Sequence, residues 1–175
     1  YTLPANYYYY AVPKIDLDAF LVAEVTDWEK LNLLPGNANI FFGGTYVGQS
    51  YLNINSTTDT MTFSLGRDKG ISITRTKLKD YCKVKTIGDN KEESFTYEIA
   101  VKNNKVMPID IRVMDQLPIT QSNDIKVTAD ETSGAETNAE TGQLTWKFNL
   151  ASGANKKFRL SYTVKFPKNQ VIQGL

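Results

Sequence analysis

The most suggestive chemistry in this sequence lies in Gly66-Arg67-Asp68-Lys69-Gly70, where two glycines bracket three charges. A loop of that composition can present Arg67, Asp68 and Lys69 to a ligand. The favoured reading is plainer: a turn in which the Asp68 carboxylate caps backbone amides and Arg67 makes an ion pair. A few residues on, Arg75, Lys77 and Lys79 recur at every second position, so an extended strand carries them on one face as a basic ridge. Such a ridge suits an acidic glycan, a phosphate or an acidic protein. It suits equally an exposed edge strand that lysines guard against unwanted pairing, which is the favoured reading. No aromatic platform interleaves the basic face, so nucleic acid is not an expected partner.

Aromatic residues offer a second kind of chemistry. Trp28, Trp146 and the run Tyr7 to Tyr10 could stack on sugars. Trp146 falls on the apolar phase of its strand and belongs to a core. Trp28 stands beside a turn and stays a candidate. Four consecutive tyrosines must place rings on both faces of a strand, which predicts an exposed aromatic patch. Among carboxylates, Asp16 with Asp18, or Asp130, Glu131, Glu136 and Glu140, could hold calcium or form a glycosidase pair, but no EF-hand spacing is present. Solvated acidic loops are the favoured reading. Cys82 sits near Lys83 and Lys85, the setting of a reactive thiol, although an inert thiol is favoured without a partner base. Asn55-Ser56-Thr57 matches a glycosylation sequon, of consequence only in a eukaryotic secretory pathway. Histidine is absent from the whole chain. That removes Ser-His-Asp and Cys-His catalysis and every histidine metal site. No catalytic residue, cofactor or metal is expected.

The elements that must position these residues read as strands. Ser94 to Pro118 holds two alternating runs around Asn103-Asn104-Lys105: Phe95, Tyr97, Ile99 and Val101, then Ile109, Ile111 and Val113. This is a hairpin with one buried face. Leu144, Trp146, Phe148 and Leu150 repeat the alternation, as do Phe158 to Phe166. Upstream, Tyr7–Val12 and Ala19–Thr26 read as strands, the latter against a weaker helical alternative, and 27–33 as a short helical turn. Gly43-Gly44 predicts a tight hairpin. Ile71 to Thr86 reads as one long strand. Ten Tyr and eight Phe favour strands generally. The 175 residues suffice for one domain or two small ones, and a net charge of +1 gives no pull toward nucleic acid or anionic membrane. No apolar run approaches the ~20 residues of a membrane span. The expectation is an all-β antiparallel sandwich of about eleven strands. The expected division is an N-terminal half, 1–86, and an immunoglobulin-like C-terminal half, 87–175, packed either as two units or as one continuous unit. With no initiator Met before Tyr1, the chain reads as a piece of a longer protein whose signal or anchor would lie upstream.

Five longer stretches carry a resemblance: YAVPKID (10–16), FLVAEVTDWEKLNLLPGNANIFFGGTYVG (20–48), FSLGRDKGI (63–71), VKNNKVMPIDIRVMDQLP (101–118) and ETGQLTWKFNL (140–150). Together they are similar to the C-terminal domain of the mucoidy inhibitor-like bacterial proteins, domain of unknown function 4139, over nearly the whole chain. The resemblance implies a longer protein with an N-terminal domain and a coiled-coil segment, often exported, hence a periplasmic or cell-surface location. It implies no catalytic or ligand residues. From Glu93 onward the chain also resembles immunoglobulin-like repeats of bacterial surface proteins, in which a D-x-L-P strand end precedes a W-x-L strand. Here these are Asp115-Gln116-Leu117-Pro118 and Trp146-Lys147-Phe148, without the immunoglobulin cysteines. The expectation is a non-catalytic interaction or structural module of an exported bacterial envelope protein, with a protein or glycan partner. The alternatives are a carbohydrate-binding or carbohydrate-processing domain, and assembly through an exposed strand edge.

Overall fold

The alternating runs become strands, and their apolar phases meet between two sheets. The computed structural model describes residues 1–54 and 59–172. The sequon at Asn55 lies outside them. Thirteen strands occur among the described residues: β1 (Ala5–Val12), β2 (Asp16–Val25), β3 (Gly36–Phe42), β4 (Thr45–Leu52), β5 (Met61–Asp68), β6 (Ile71–Lys77), β7 (Lys83–Ile87), β8 (Asn90–Asn103), β9 (Ile109–Gln116), β10 (Lys126–Glu131), β11 (Glu136–Thr137), β12 (Gln143–Leu150) and β13 (Asn155–Pro167). The only helices among these residues are single 3-10 turns at Trp28–Leu31 and Lys79–Tyr81. The fold is an all-β sandwich, as expected. One sheet runs β11-β12-β9-β1-β2-β5, the other β10-β13-β8-β6, with β7 also on β8. The hairpin β3–β4 forms a separate two-stranded arm.

The core lies where β8 and β13 face β9, β12 and β1. Ile99, Val101, Ile111, Val113, Leu144, Leu160 and Val164 are all but completely buried. Each contributes about 1.5–3 kcal/mol by leaving water. Trp146 stacks on Phe158 with centroids 5.1 Å apart, and its indole N–H donates to the Thr132 carbonyl at 2.9 Å. The expected break at Asn103-Asn104-Lys105 has a physical cause. Asn103 is fully buried, its amide nitrogen reaches the carbonyls of Met107, Leu150 and Ala151, and its Oδ1 accepts from the Lys105 N–H. One side chain thereby satisfies the backbone of two loops.

One expectation about strands is corrected. The run from Ile71 to Thr86 is two strands, β6 and β7, laid end to end along β8. Residues 78–82 face only Phe95 and Thr96, so the surplus is extruded as the second 3-10 turn, anchored by the Leu78 N–H on the Thr96 carbonyl at 2.8 Å. That split, with the two-residue β11, raises the count above eleven. The expected boundary between residues 86 and 87 falls inside the β7–β8 hairpin. Both sheets draw strands from either side of it, because β1 inserts beside β9 in a parallel pairing, Tyr9 opposite Ile111 and Ala11 opposite Val113.

Candidate functional site

The charged segment 66–70 is strand rather than loop as far as Asp68. Across from Leu21, both Leu65 and Gly66 fill one place in the β2–β5 ladder, a bulge that Gly66 accommodates at φ +99°. Beyond it Arg67 and Asp68 resume pairing with Phe20 and Ala19, and only Lys69-Gly70 turns. The glycine that read as the start of a loop is a bulge. Past the bulge, ordinary strand alternation sends Arg67 and Asp68 to opposite sides of β5. Arg67 reaches Asp16 at 3.0 Å and Asp18 at 2.7 Å, and Lys69 reaches Asp18 at 2.6 Å. The hydrogen bond from Lys69, with that from Arg67, holds the Asp18 carboxyl below its ordinary value. The Asp16/Asp18 pair is thus committed to cations of this chain.

Asp68 points the other way. Its Oδ2 accepts from Tyr9 Oη at 2.7 Å and from Lys105 Nζ at 2.5 Å, its Oδ1 accepts from the Gly70 N–H, and Lys105 also donates to Tyr9 Oη at 2.8 Å. Burial opposes charge on Asp68, but these donors outweigh it and its pKa is lowered. Asp68 and Tyr9 in turn raise the pKa of Lys105, and burial raises that of Tyr9. This knot ties β1, β5 and the β8–β9 turn together beside a hollow of about 410 Å³ that Phe42 of the arm overhangs.

The basic ridge does not form. Arg75 shares the inward phase of β6 with Ile71 and Ile73. Its Nε donates to Asp115 Oδ2 at 2.7 Å across the sandwich, and its guanidinium lies 3.8 Å from the Tyr97 ring centroid. The Asp115 side chain is wholly buried. Lys77 covers Phe95 at 4.5 Å, and Lys79 sits in the 3-10 turn, off the strand face altogether. Tyr97 and Phe95 both stack on Tyr162, whose phenol is pushed to a higher pKa by burial and then by Tyr97. Trp28 is also corrected: it is buried, and its indole N–H has no partner among the described residues.

What the structure does gather at the surface is a groove on the outer face of the six-stranded sheet. The tyrosine run divides as its alternation requires. Tyr9 turns into the core, while Tyr8 and Tyr10 stand half-buried outside. The parallel β1–β9 pairing sets Tyr10 opposite Arg112. Arg112 lies flat over Tyr8, 3.6 Å from the ring centroid, and reaches Glu24 at 3.4 Å. Burial raises the Tyr8 pKa and Arg112 only partly offsets it, so Tyr8 offers a neutral hydroxyl. Three hollows of about 500, 500 and 350 Å³ share Tyr8 as a wall. The far rim carries Lys147, paired with Glu136 at 2.8 Å. Its ion pairs join opposite signs, Arg112 with Glu24 and Lys147 with Glu136, so the groove presents rings and hydrogen-bonding groups rather than a field of one sign.

No resolved shift brings a group toward neutrality: the carboxylates move down, Lys105 up and the phenols up. Each of these groups therefore keeps one protonation state at neutral pH. Among the described residues no three His, Cys, Asp or Glu side chains cluster as metal ligands would, and no helix is long and apolar enough to cross a membrane. The sequence reading missed Tyr8, Tyr10 and Arg112 as one set. Their alternation was visible, but the β1–β9 adjacency that joins them, across about a hundred residues of chain, was not.

Fold and surface together define an all-β sandwich module with a concave aromatic face. The chain belongs to the family described as Domain of unknown function (DUF4139), whose model matches residues 10–168. It is also similar to Protein F37C4.5 of Caenorhabditis elegans, 24% identical over 189 residues that cover 99% of this chain and 34% of that protein. The chain therefore spans about a third of the length of the curated relative it matches.

Proposed function

We propose that this chain is a non-catalytic interaction module of a longer protein, and that its outer groove takes an extended protein segment. The observation that carries this is Arg112 over the Tyr8 ring at the centre of the groove, a planar cation on an aromatic ring at a partly exposed place on the outer face. Matched charges along the groove favour a partner of mixed polarity, and similarity to a protein about three times as long supports a modular role. The reading keeps the immunoglobulin-like character of the second half, in which β8, β9, β12 and β13 supply the inner faces. It also keeps export to the periplasm or cell surface, which fractionating cells that express the full-length protein tests directly.

Peptide display on the purified chain tests the groove. Selected peptides should bind the wild type and lose affinity for Tyr8→Ala and Arg112→Ala, whereas peptides indifferent to both substitutions remove the groove from the reading. Metal-independent turnover of a glycan or peptide panel, abolished by replacing one carboxylate, would overturn the non-catalytic role.

A further inference from the structure

The β3–β4 arm differs in composition from the rest of the chain. No Asp, Glu, Lys or Arg occurs from Leu31 to Thr58, in a protein that is 22% charged. One side of the arm packs toward β5, as far as Phe42 at its tip. The other side is built in three cross-strand rows: Asn37 opposite Tyr51, Asn39 opposite Gln49, and Phe41 opposite Tyr46. Strict alternation would have turned Tyr46 to the inner side. An extra residue, Val47, between Gly48 and Tyr46 forms a bulge and flips Tyr46 to join Phe41. The two rings touch edge to face with centroids 5.5 Å apart, and Gln49 donates to Asn39 at 2.9 Å between them and Tyr51. Phe41, Tyr46 and Tyr51 are 64%, 53% and 63% exposed. Nothing in the sandwich needs these rings where they are.

The geometry points to a second binding site, for a neutral glycan, on this outward face of the arm. Its aromatic rows stand about 13 Å apart at the rise of an extended strand, the span of a short oligosaccharide. Rings pack on the C–H faces of pyranoses, and the Asn39–Gln49 amides donate to and accept from hydroxyls between them. The absence of charge from Leu31 to Thr58 matches a ligand that carries none. A lipid surface fits less well, because inserting the rings would bury the amides of Asn37, Asn39 and Gln49 in a medium that cannot hydrogen-bond them. The sequence offers Trp28 and Tyr7 to Tyr10 as rings that could stack on sugars; this proposal rests on the arm's rings instead, apart from the groove.

The test is titration of the purified chain with uncharged gluco-, xylo- and N-acetylglucosamine hexasaccharides, with an oligouronate as the charged control. Binding to at least one neutral sugar and not to the oligouronate is expected. Tyr51→Ala and Tyr46→Ala should each lower affinity by about tenfold, the loss of one good ring contact, while Tyr81→Ala, an exposed ring in the second 3-10 turn, leaves it unchanged. Circular dichroism checks that each variant is folded. No binding at millimolar sugar, or binding that Tyr46→Ala and Tyr51→Ala leave intact, overturns the proposal. So does concentration-dependent self-association abolished by the same two substitutions, which would make the face a contact between copies.

Discussion

The sandwich interior and the β3–β4 arm use the same residue types in opposite ways. Inside, Phe95 and Tyr162 stack at 5.3 Å and are almost wholly buried; in the arm, Phe41 and Tyr46 meet at 5.5 Å and are more than half exposed. The interior pair is stacked and the arm pair meets edge to face, but the near-equal centroid distances do not separate the two cases. What does is whether a second sheet closes over the rings. Charge follows the same division in reverse. The interior accepts Arg75 and Asp115 because each is the other's partner, and the arm, which has no interior to offer, carries none. In this pair of regions, then, the enclosed rings sit beside a paired charge and serve packing, while the arm's rings stand in water with no charge near them in the sequence.

The largest effect should come from the interior. Asp115→Ala leaves the Arg75 guanidinium buried against Tyr97 without a counter-ion, and about 3–5 kcal/mol of stability should be lost in urea denaturation. Replacing both partners by apolar residues, Arg75→Met with Asp115→Leu, should recover most of it. A loss under about 1 kcal/mol for the single variant would mean that the pair behaves as a surface ion pair, and the contrast with the exposed Asp18 cluster would fail. Next comes Asn103→Ala. It strips hydrogen bonds from buried carbonyls in two loops and should cost about 2–3 kcal/mol. Unchanged stability there would show that solvent replaces the amide.

The knot at the margin of the core should respond to pH with opposite signs at the two ends. Asp68 has a folded pKa below its unfolded value near 3.9, so its contribution is full above about pH 4 and is lost as pH falls through the folded pKa. Lys105 has a folded pKa above its unfolded value near 10.4, so its contribution is full below about pH 10 and is lost as pH rises through the folded pKa. The stability difference between wild type and Lys105→Met should therefore be a plateau across neutral pH that shrinks toward acid and toward strong alkali. A difference that grows as pH falls below 4 would contradict the assignment of Asp68 as the anion.

Much of the sandwich was legible because alternation is a local property. Ile99, Val101, Ile111, Val113 and Leu160 read inward from the sequence and are inward in the structure. The Gly43-Gly44 turn was equally legible, since φ of 55° and 78° suits glycine above all. Bulges were not. The extra residues at Gly66 and Val47 each shift the phase by one, which moves a side chain to the other face without altering composition. Arg75 was misread for a different reason: strand phase placed it inward with Ile71 and Ile73, but its charge suggested the surface, and only the distant Asp115 resolves the conflict. The groove was least legible of all. It depends on β1 pairing with β9, a contact with no local signature.

The smallest effect should come from the arm, where it is the most informative. Phe41→Ser, Tyr46→Ala and Tyr51→Ala remove rings that are already largely in water, so each should change stability by no more than about 0.5 kcal/mol. Removing a comparable buried ring, as in Phe158→Ala, should cost about 3–5 kcal/mol. The ratio between the two classes measures how far the arm's aromatics are free of structural duty. A lone two-stranded hairpin is only marginally stable in water, so cross-strand ring contacts are the one way these residues could still matter to folding. If Tyr46→Ala unfolds the arm, hydrogen exchange of the β3 and β4 amides will rise while the sandwich amides stay protected, and the Phe41–Tyr46 pair is then a staple. If the arm's protection is unchanged, the rings are not holding it together, and their exposure has to be explained by something they bind.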